Sequence, residues 1–316
     1  MPDSQTTDEY DSPWKGILDK YFQEFMELLF PEAAAQIDWG KGYENLDKEF
    51  QQIVRDAEVG KRLADKLVKV WLIGGQEMVV YVHTEIQGSP DKDFEHRMYT
   101  YHYRIFDRYD GHVVSLAVLA DEGNAWNPSL FKTNLWGCRL QFEFPVVKLN
   151  HFRNDESWKQ LEASNNPLAR VIMAHLKTQD TRKDNQDRKQ WKMALTRSLY
   201  NGGFTRQQIL DIYWFIDWVM HLPTEIAEQF DRELQDFEKE KKMTYVTTME
   251  RRGIEKGRQE ELREDIKDVL DERFGECSYA IIEALSMLED VTQLRALHRL
   301  AVRIESLAAF QKHLQN

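Results

Sequence analysis

Two apolar segments, Lys66 to Ile73 and Met78 to Ile86, alternate with a period of two and are rich in β-branched and aromatic residues. That pattern predicts two strands, and the Gly74-Gly75 turn between them predicts an antiparallel hairpin. Helical spacing precedes it. Ile17, Leu18, Tyr21, Phe22, Phe25, Leu28 and Leu29 predict an amphipathic helix over Trp14–Phe30 that Pro31 stops or kinks. Leu46, Phe50, Ile53 and Val54 predict a second helix over Leu46–Leu63. After the hairpin a helix rich in Arg and Tyr is expected from Asp93 to Tyr109. His112 to Ala120 follows as a continuous apolar run, the signature of a strand covered on both faces. Asp121 to Leu135 reads as a loop. Leu140 to Leu149 reads as a further strand, placed at a sheet edge by Pro145. The order helix–strand–strand–helix–strand predicts an α/β core, a mixed sheet flanked by helices.

Beyond residue 155 no strand pattern remains. Helices are expected over Glu156–Leu161, Pro167–Thr178, Asn185–Tyr200 and Thr205–His221, the last opened by a Thr205/Gln208 capping pair. A charged, solvated helical stretch, Thr224 to Asp271, is expected to loosen at Gly253 and Gly257. The segment Tyr279–Leu314, with apolar residues from Ile281 to Phe310, predicts a helical hairpin suited to homo-oligomer formation. The expected organisation is a disordered N-terminus (1–12), an α/β core (13–155), a helical extension (156–223) and an all-helical C-terminal region (224–316).

With 316 residues, 42% hydrophobic and 30% charged, the composition is that of a globular chain. No apolar run has the length of a membrane span and no signal-peptide pattern opens the chain, so no membrane partner and a cytoplasmic location are expected. Cys138 and Cys277 lie too far apart in sequence to argue for a disulfide framework or a zinc site. The net charge of −12 opposes indiscriminate binding to nucleic acid. Locally the balance reverses. Leu168 to Arg206 carries nine basic residues against three acids, a formal +6, and its helices are expected to contribute grip on a nucleic-acid backbone. Trp136, Trp191, Trp214 and Trp218 are expected in the core.

The chemistry concentrates at the hairpin. Glu85 and Gln87 share a strand face, with Ile86 opposite, and a hairpin brings the start of its first strand beside the end of its second. Asp65 is therefore expected to meet Glu85, and two converging carboxylates suit a divalent cation. His83 shares that face and is expected to be a hydrogen-bonded sheet histidine. On the following helix Arg97, Tyr101, Arg104 and Arg108 fall on one stripe. The stripe has two readings: it faces phosphates while Met98, Ile105 and Phe106 pack on the sheet, or its arginines pair with Asp93, Glu95, Asp107 and Asp110 on a solvated surface.

The pattern Asp65-x(19)-Glu85-x-Gln87, the Arg/Tyr helix and the C-terminal Gly253-Ile254-Glu255-Lys256-Gly257-Arg258-Gln259-Glu260-Glu261 segment together resemble the PD-(D/E)XK nuclease superfamily. More narrowly, they resemble its recombination-promoting nuclease (Rpn)/transposase-like family. The resemblance implies a restriction-endonuclease-like core in which Asp65, Glu85 and the Ile86 carbonyl hold Mg²⁺, or Mn²⁺ in its place. It further implies a helix acid to complete the site, with Glu49 the first candidate and Asp19 and Asp47 next. Gln87 stands where the superfamily usually has Lys. Glutamine positions a water or phosphate oxygen by hydrogen bonding but carries no charge and is no base. The implied function is metal-dependent cleavage of DNA in recombination or mobile-element biology. The rivals are a non-catalytic nucleic-acid-binding or scaffolding protein on the same fold, and an RNA-directed nuclease.

Overall fold

The computed structural model describes residues 11–47, 49–50, 64–74, 79–241, 248–275, 277–288 and 290–314. The first ten residues, most of the expected helix over Leu46–Leu63 and the Gly75 side of the hairpin turn lie outside the described residues. The N-terminal apolar period forms two helices rather than one, α1 (Asp11–Lys20) and α2 (Phe22–Leu29). They break at Tyr21, whose backbone leaves the helical region and whose hydroxyl donates to Asp211 at 2.8 Å. Pro31 opens a further short helix, α3 (Pro31–Ala34), in the first-turn position that suits proline.

The sheet has five strands in the order β1 (Tyr43–Asn45), β2 (Ala64–Trp71), β3 (Val79–Gln87), β4 (His112–Leu119) and β7 (Val146–Lys148). β1, β2 and β3 are antiparallel neighbours, whereas β3, β4 and β7 run parallel. The β3–β4 connection is the helix α4 (Phe94–Tyr109). Phe94, Met98, Tyr101 and Ile105 form its inward stripe and pack on Leu67, Ala117 and Leu119. Strand alternation sends Lys66 the other way, toward α1. β3 is buried from Val82 to Gln87, as a central strand covered on both faces must be.

The expected loop over Asp121–Leu135 instead contains half of a second, two-stranded sheet, β5 (Leu130–Leu135) and β6 (Cys138–Glu143). Its two-residue turn, Trp136-Gly137, has positive φ at both positions (52° and 86°), the form that matches strand twist. Trp136 is therefore no core residue: it is 98% exposed. Pro145 divides the expected long strand into β6 and the short edge strand β7.

Four helices follow close to expectation, α5 (Asp155–Ala163), α6 (Pro167–Asp180), α7 (Asn185–Asn201) and α8 (Arg206–Val219), and Thr205 and Gln208 form the capping box. They are no separate extension. α6 packs on α2 and α8 on α1, so both belong with the sheet to one compact unit, Met1–Phe237. The next helix, α9, spans Thr224–Lys241. The second unit, Glu238–Asn316, contains α10 (Thr248–Phe274), α11 (Tyr279–Ser286), α12 (Val291–Arg303) and α13 (Leu307–Leu314). α10 runs unbroken through Gly253 and Gly257, and Ile266, Leu270, Leu294 and Phe310 are buried. Among the described residues no helix is long and apolar enough to cross a membrane.

One core residue couples the fold to pH. His175 on α6 is fully buried against Trp14, which packs in turn on Phe215. Its Nε2 lies 3.1 Å from the Ala120 carbonyl and its Nδ1 accepts from the Trp14 indole at 3.4 Å, a pattern that fixes the neutral ring. Burial pushes its pKa down to about 4. The unfolded chain binds this proton first, so stability is complete above about pH 6.5 and falls as pH drops toward 4, by about 3 kcal/mol in all. Urea denaturation of His175→Gln is expected to lose this slope between pH 6.5 and 4.

Candidate functional site

The carboxyl ends of β3, β4 and β7 and the start of β2 meet at one edge of the sheet, the edge where open α/β sheets place their ligands. Asp65 stands directly across from Glu85 in the β2–β3 register, as the hairpin argument requires. Residues so paired share a face with Cβ atoms about 5 Å apart. The Asp65 side chain itself lies outside the described residues.

Glu85 and Gln87 are both fully buried and share one partner, Arg97, itself buried. Its Nε and Nη2 donate to Glu85 Oε1 at 3.0 and 2.5 Å, Nη2 also reaches Gln87 Oε1 at 3.2 Å, and Nη1 pairs with Asp91. Gln87 then donates its Nε2 to the Ser89 carbonyl at 2.9 Å, which fixes the amide in one orientation. Burial alone would push the Asp91 carboxyl up. The Arg97 hydrogen bond, the Asp93 amide and the Arg97 charge outweigh it and hold the carboxyl below its usual range. Burial likewise acts against the Arg97 charge, but the Glu85 and Asp91 carboxylates hold its proton more firmly than in water. One atom is left over. Glu85 Oε2 is buried and accepts no hydrogen bond from the described residues.

These positions revise the expected phosphate-facing stripe. Arg97 and Tyr101 share the inward arc with Phe94, Met98 and Ile105, and both are buried. Arg104 is half-buried and Arg108 exposed, at the flank and end of the same helix. Phe106, expected on the sheet, is rotated about 100° from Ile105 and is 53% exposed. His83 is also buried, its ring packed between Phe50 and Tyr101.

The candidate helix acids divide between two places. Asp19 and Asp47 accept from the buried ammonium of Lys66 at 2.6 and 3.2 Å, and Asp47 also accepts from the Leu67 amide at 3.1 Å. Lys66 is on the face opposite Glu85, so these two acids neutralise a core lysine. Glu49 is helical and half-buried, and its charge raises the pKa of the Tyr109 phenol, although burial is the larger cause there. Tyr109 is about 18 Å along α4 from Arg97. Among the described residues no group of three His, Cys, Asp or Glu gathers as a metal cage.

The basic segment after Leu168 is revised as well. Arg170 is buried and donates to the Leu161 and Glu162 carbonyls, Arg188 donates to those of Thr178 and His221, and Lys192 and Lys189 pair with Asp217 and Glu233. Lys177 lies over the Trp158 and Trp191 rings. These cations serve the helical layer from within.

Sequence reasoning missed Asp91, Asp121 and Lys148. Lys148, at the end of β7, donates to Asp121 at 2.9 and 3.2 Å and to the Trp126 carbonyl at 2.5 Å, almost wholly out of water. The available signal was a charge at or just past the end of each of two strands, beside apolar neighbours. The chain matches no protein-family model, no curated protein and no solved structure.

Proposed function

We propose that the chain is a metal-dependent DNA endonuclease with a restriction-endonuclease-like core, acting in recombination or transposon-linked DNA processing. The observation that carries this reading is the Asp65–Glu85 pairing across β2 and β3, with a buried Glu85 oxygen left without a hydrogen bond. A buried carboxylate oxygen without a donor is costly unless a cation uses it. The residues present therefore fit Mg²⁺ or Mn²⁺, hard ions that take oxygen ligands and keep several waters. Asp65, Glu85 and the Ile86 carbonyl would hold the ion. Bound there, it would supply a water of lowered pKa and neutralise charge at the scissile phosphate.

The chain's own residues have defined parts. Arg97 occupies Glu85 Oε1 and so keeps Oε2 directed away from itself. Gln87, clamped between Arg97 and Ser89, positions without ionising. The positive charge that the resembled superfamily carries at this strand position is supplied from α4 by Arg97. The sheet order supports the same reading: an antiparallel β1–β2–β3 set, then a helical connection to a parallel β4.

The test is incubation of purified protein with supercoiled plasmid and Mg²⁺ or Mn²⁺. Wild type is expected to nick or linearise the plasmid and Asp65→Ala to leave it intact. An inert wild type, or an Asp65→Ala variant that cuts equally, overturns the reading. A second reading, a non-catalytic scaffold, is favoured by one observation: Arg97 already neutralises Glu85. Calorimetric titration with Mn²⁺ separates the two, since a scaffold gives no heat that Asp65→Ala abolishes.

A further inference from the structure

The β5–β6 hairpin has two unlike faces. Register places Phe131 opposite Phe142, and these rings lie against Tyr99 and His102 on the outer side of α4, the helix that delivers Arg97. The alternate residues, Lys132, Asn134, Arg139 and Gln141, share the other face, and all four are exposed. Lys132 and Arg139 make no ion pair or hydrogen bond with any described residue. At the tip stands Trp136, 98% exposed, at φ 52°. A two-residue turn of this kind favours Asn followed by Gly, and the chain keeps the Gly. In place of Asn it has the bulkiest side chain, in a backbone conformation unfavourable to it and with its ring in water. Nothing among the described residues compensates for that choice, which is the mark of a residue placed for a partner.

We propose that this hairpin is a DNA-contacting arm: Trp136 stacks on an unpaired or unstacked base, while Lys132 and Arg139 hold the adjoining phosphates. The inference rests on the endonuclease reading above and gives it the cationic, aromatic surface that the buried Arg97 and Tyr101 do not provide. Ring stacking combined with unpaired cations is the chemistry of single-stranded nucleic acid recognition. Four aromatic rings fix the arm to α4, the helix that delivers Arg97, without a separate domain.

The test uses the full chain in EDTA at low salt, so that binding is read without cleavage, with a fluorescent 20-nucleotide single-stranded DNA as probe. Trp136→Asn, which suits the turn, is expected to weaken binding about tenfold, and Trp136→Phe to stay within about twofold, as stacking predicts. Lys132→Ala/Arg139→Ala is expected to flatten the salt dependence. Cys138, the exposed thiol beside the tip, reports location, since bound DNA should slow its alkylation. Cys277 stays silent, because burial and the Asp271 hydrogen bond push its thiol up to about 12. Trp136→Asn binding as wild type does, no binding by wild type, or Trp136 inserting into anionic vesicles and not engaging DNA overturns the proposal. Plasmid cleavage separates the two failures. A protein that cuts normally with Trp136→Asn sinks the arm alone, and one that binds through Trp136 but never cuts sinks the endonuclease alone.

Discussion

Arg97→Met is expected to lower the unfolding free energy by about 3–5 kcal/mol at pH 7, as removal of one partner from a buried ion pair does. The asymmetry of the network is the reason. Arg97 has two carboxylates and an amide oxygen, whereas Glu85, fully buried, has Arg97 as the donor to its Oε1 and none to its Oε2. Removing the guanidinium leaves a carboxylate out of water without the charge that neutralised it, and leaves Asp91 with the Asp93 amide but no ion-pair partner. Adding Glu85→Gln to Arg97→Met should recover part of the loss, because an amide at position 85 buries no charge. Urea denaturation of wild type, both single variants and the pair measures this coupling. Asp91 sets the pH dependence. Its carboxyl is held down in the folded state, so its contribution is complete above about pH 4 and is lost as pH falls further. The part of the gap between wild type and Arg97→Met that comes from Asp91 should be lost in that acid range. A variant within about 1 kcal/mol of wild type at pH 7 would mean that the network is solvated and contributes little.

Much of this architecture was legible because local periodicity and global packing agree. The β2–β3 pairing, the α4 boundaries, the buried β4 and the Thr205/Gln208 cap each follow from short-range pattern. The Asp65–Glu85 register was legible for the same reason: a one-residue slip would turn every side chain of a buried strand to the other face. What escaped reading depends on partners distant in sequence. Arg97 and Tyr101 fit a solvent-facing stripe as well as an inward one, and only the arc shared with Phe94, Met98 and Ile105 decides between them. Asp19 and Asp47 lie upstream of the hairpin, where a helix acid is expected, yet strand alternation puts their lysine on the opposite face. The basic run after Leu168 looked like a phosphate surface because composition does not reveal which carbonyls a guanidinium caps. The β5–β6 hairpin was hidden by its own turn, where Trp stands in place of the Asn that would have announced it.

On the proposed endonuclease reading, Glu85→Gln is expected to reduce plasmid cleavage about a thousandfold, since several kcal/mol of transition-state stabilisation would depend on the ion this carboxylate would hold, at about 1.4 kcal/mol per tenfold. Its effect on the fold should be far smaller, about 1–2 kcal/mol, because the amide oxygen of Gln at position 85 still accepts from Arg97 and Asp91 keeps the guanidinium paired. The variant therefore separates chemistry from stability, which Arg97→Met does not. Position 87 shows why the charge belongs on α4. Gln87 Oε1 accepts from Arg97 at 3.2 Å, and a lysine there would set an ammonium against the guanidinium in a buried setting that screens them poorly. With Gln at 87, one cation serves Glu85, Gln87 and Asp91 together and leaves Glu85 Oε2 available. If Glu85→Gln folds as wild type does and cuts as fast, the open oxygen has no part in cleavage and the Asp65–Glu85 pair is structural. If it folds but neither cuts nor takes up Mn²⁺ by calorimetry, the carboxylate pair is the metal site and Arg97 is the residue that positions it.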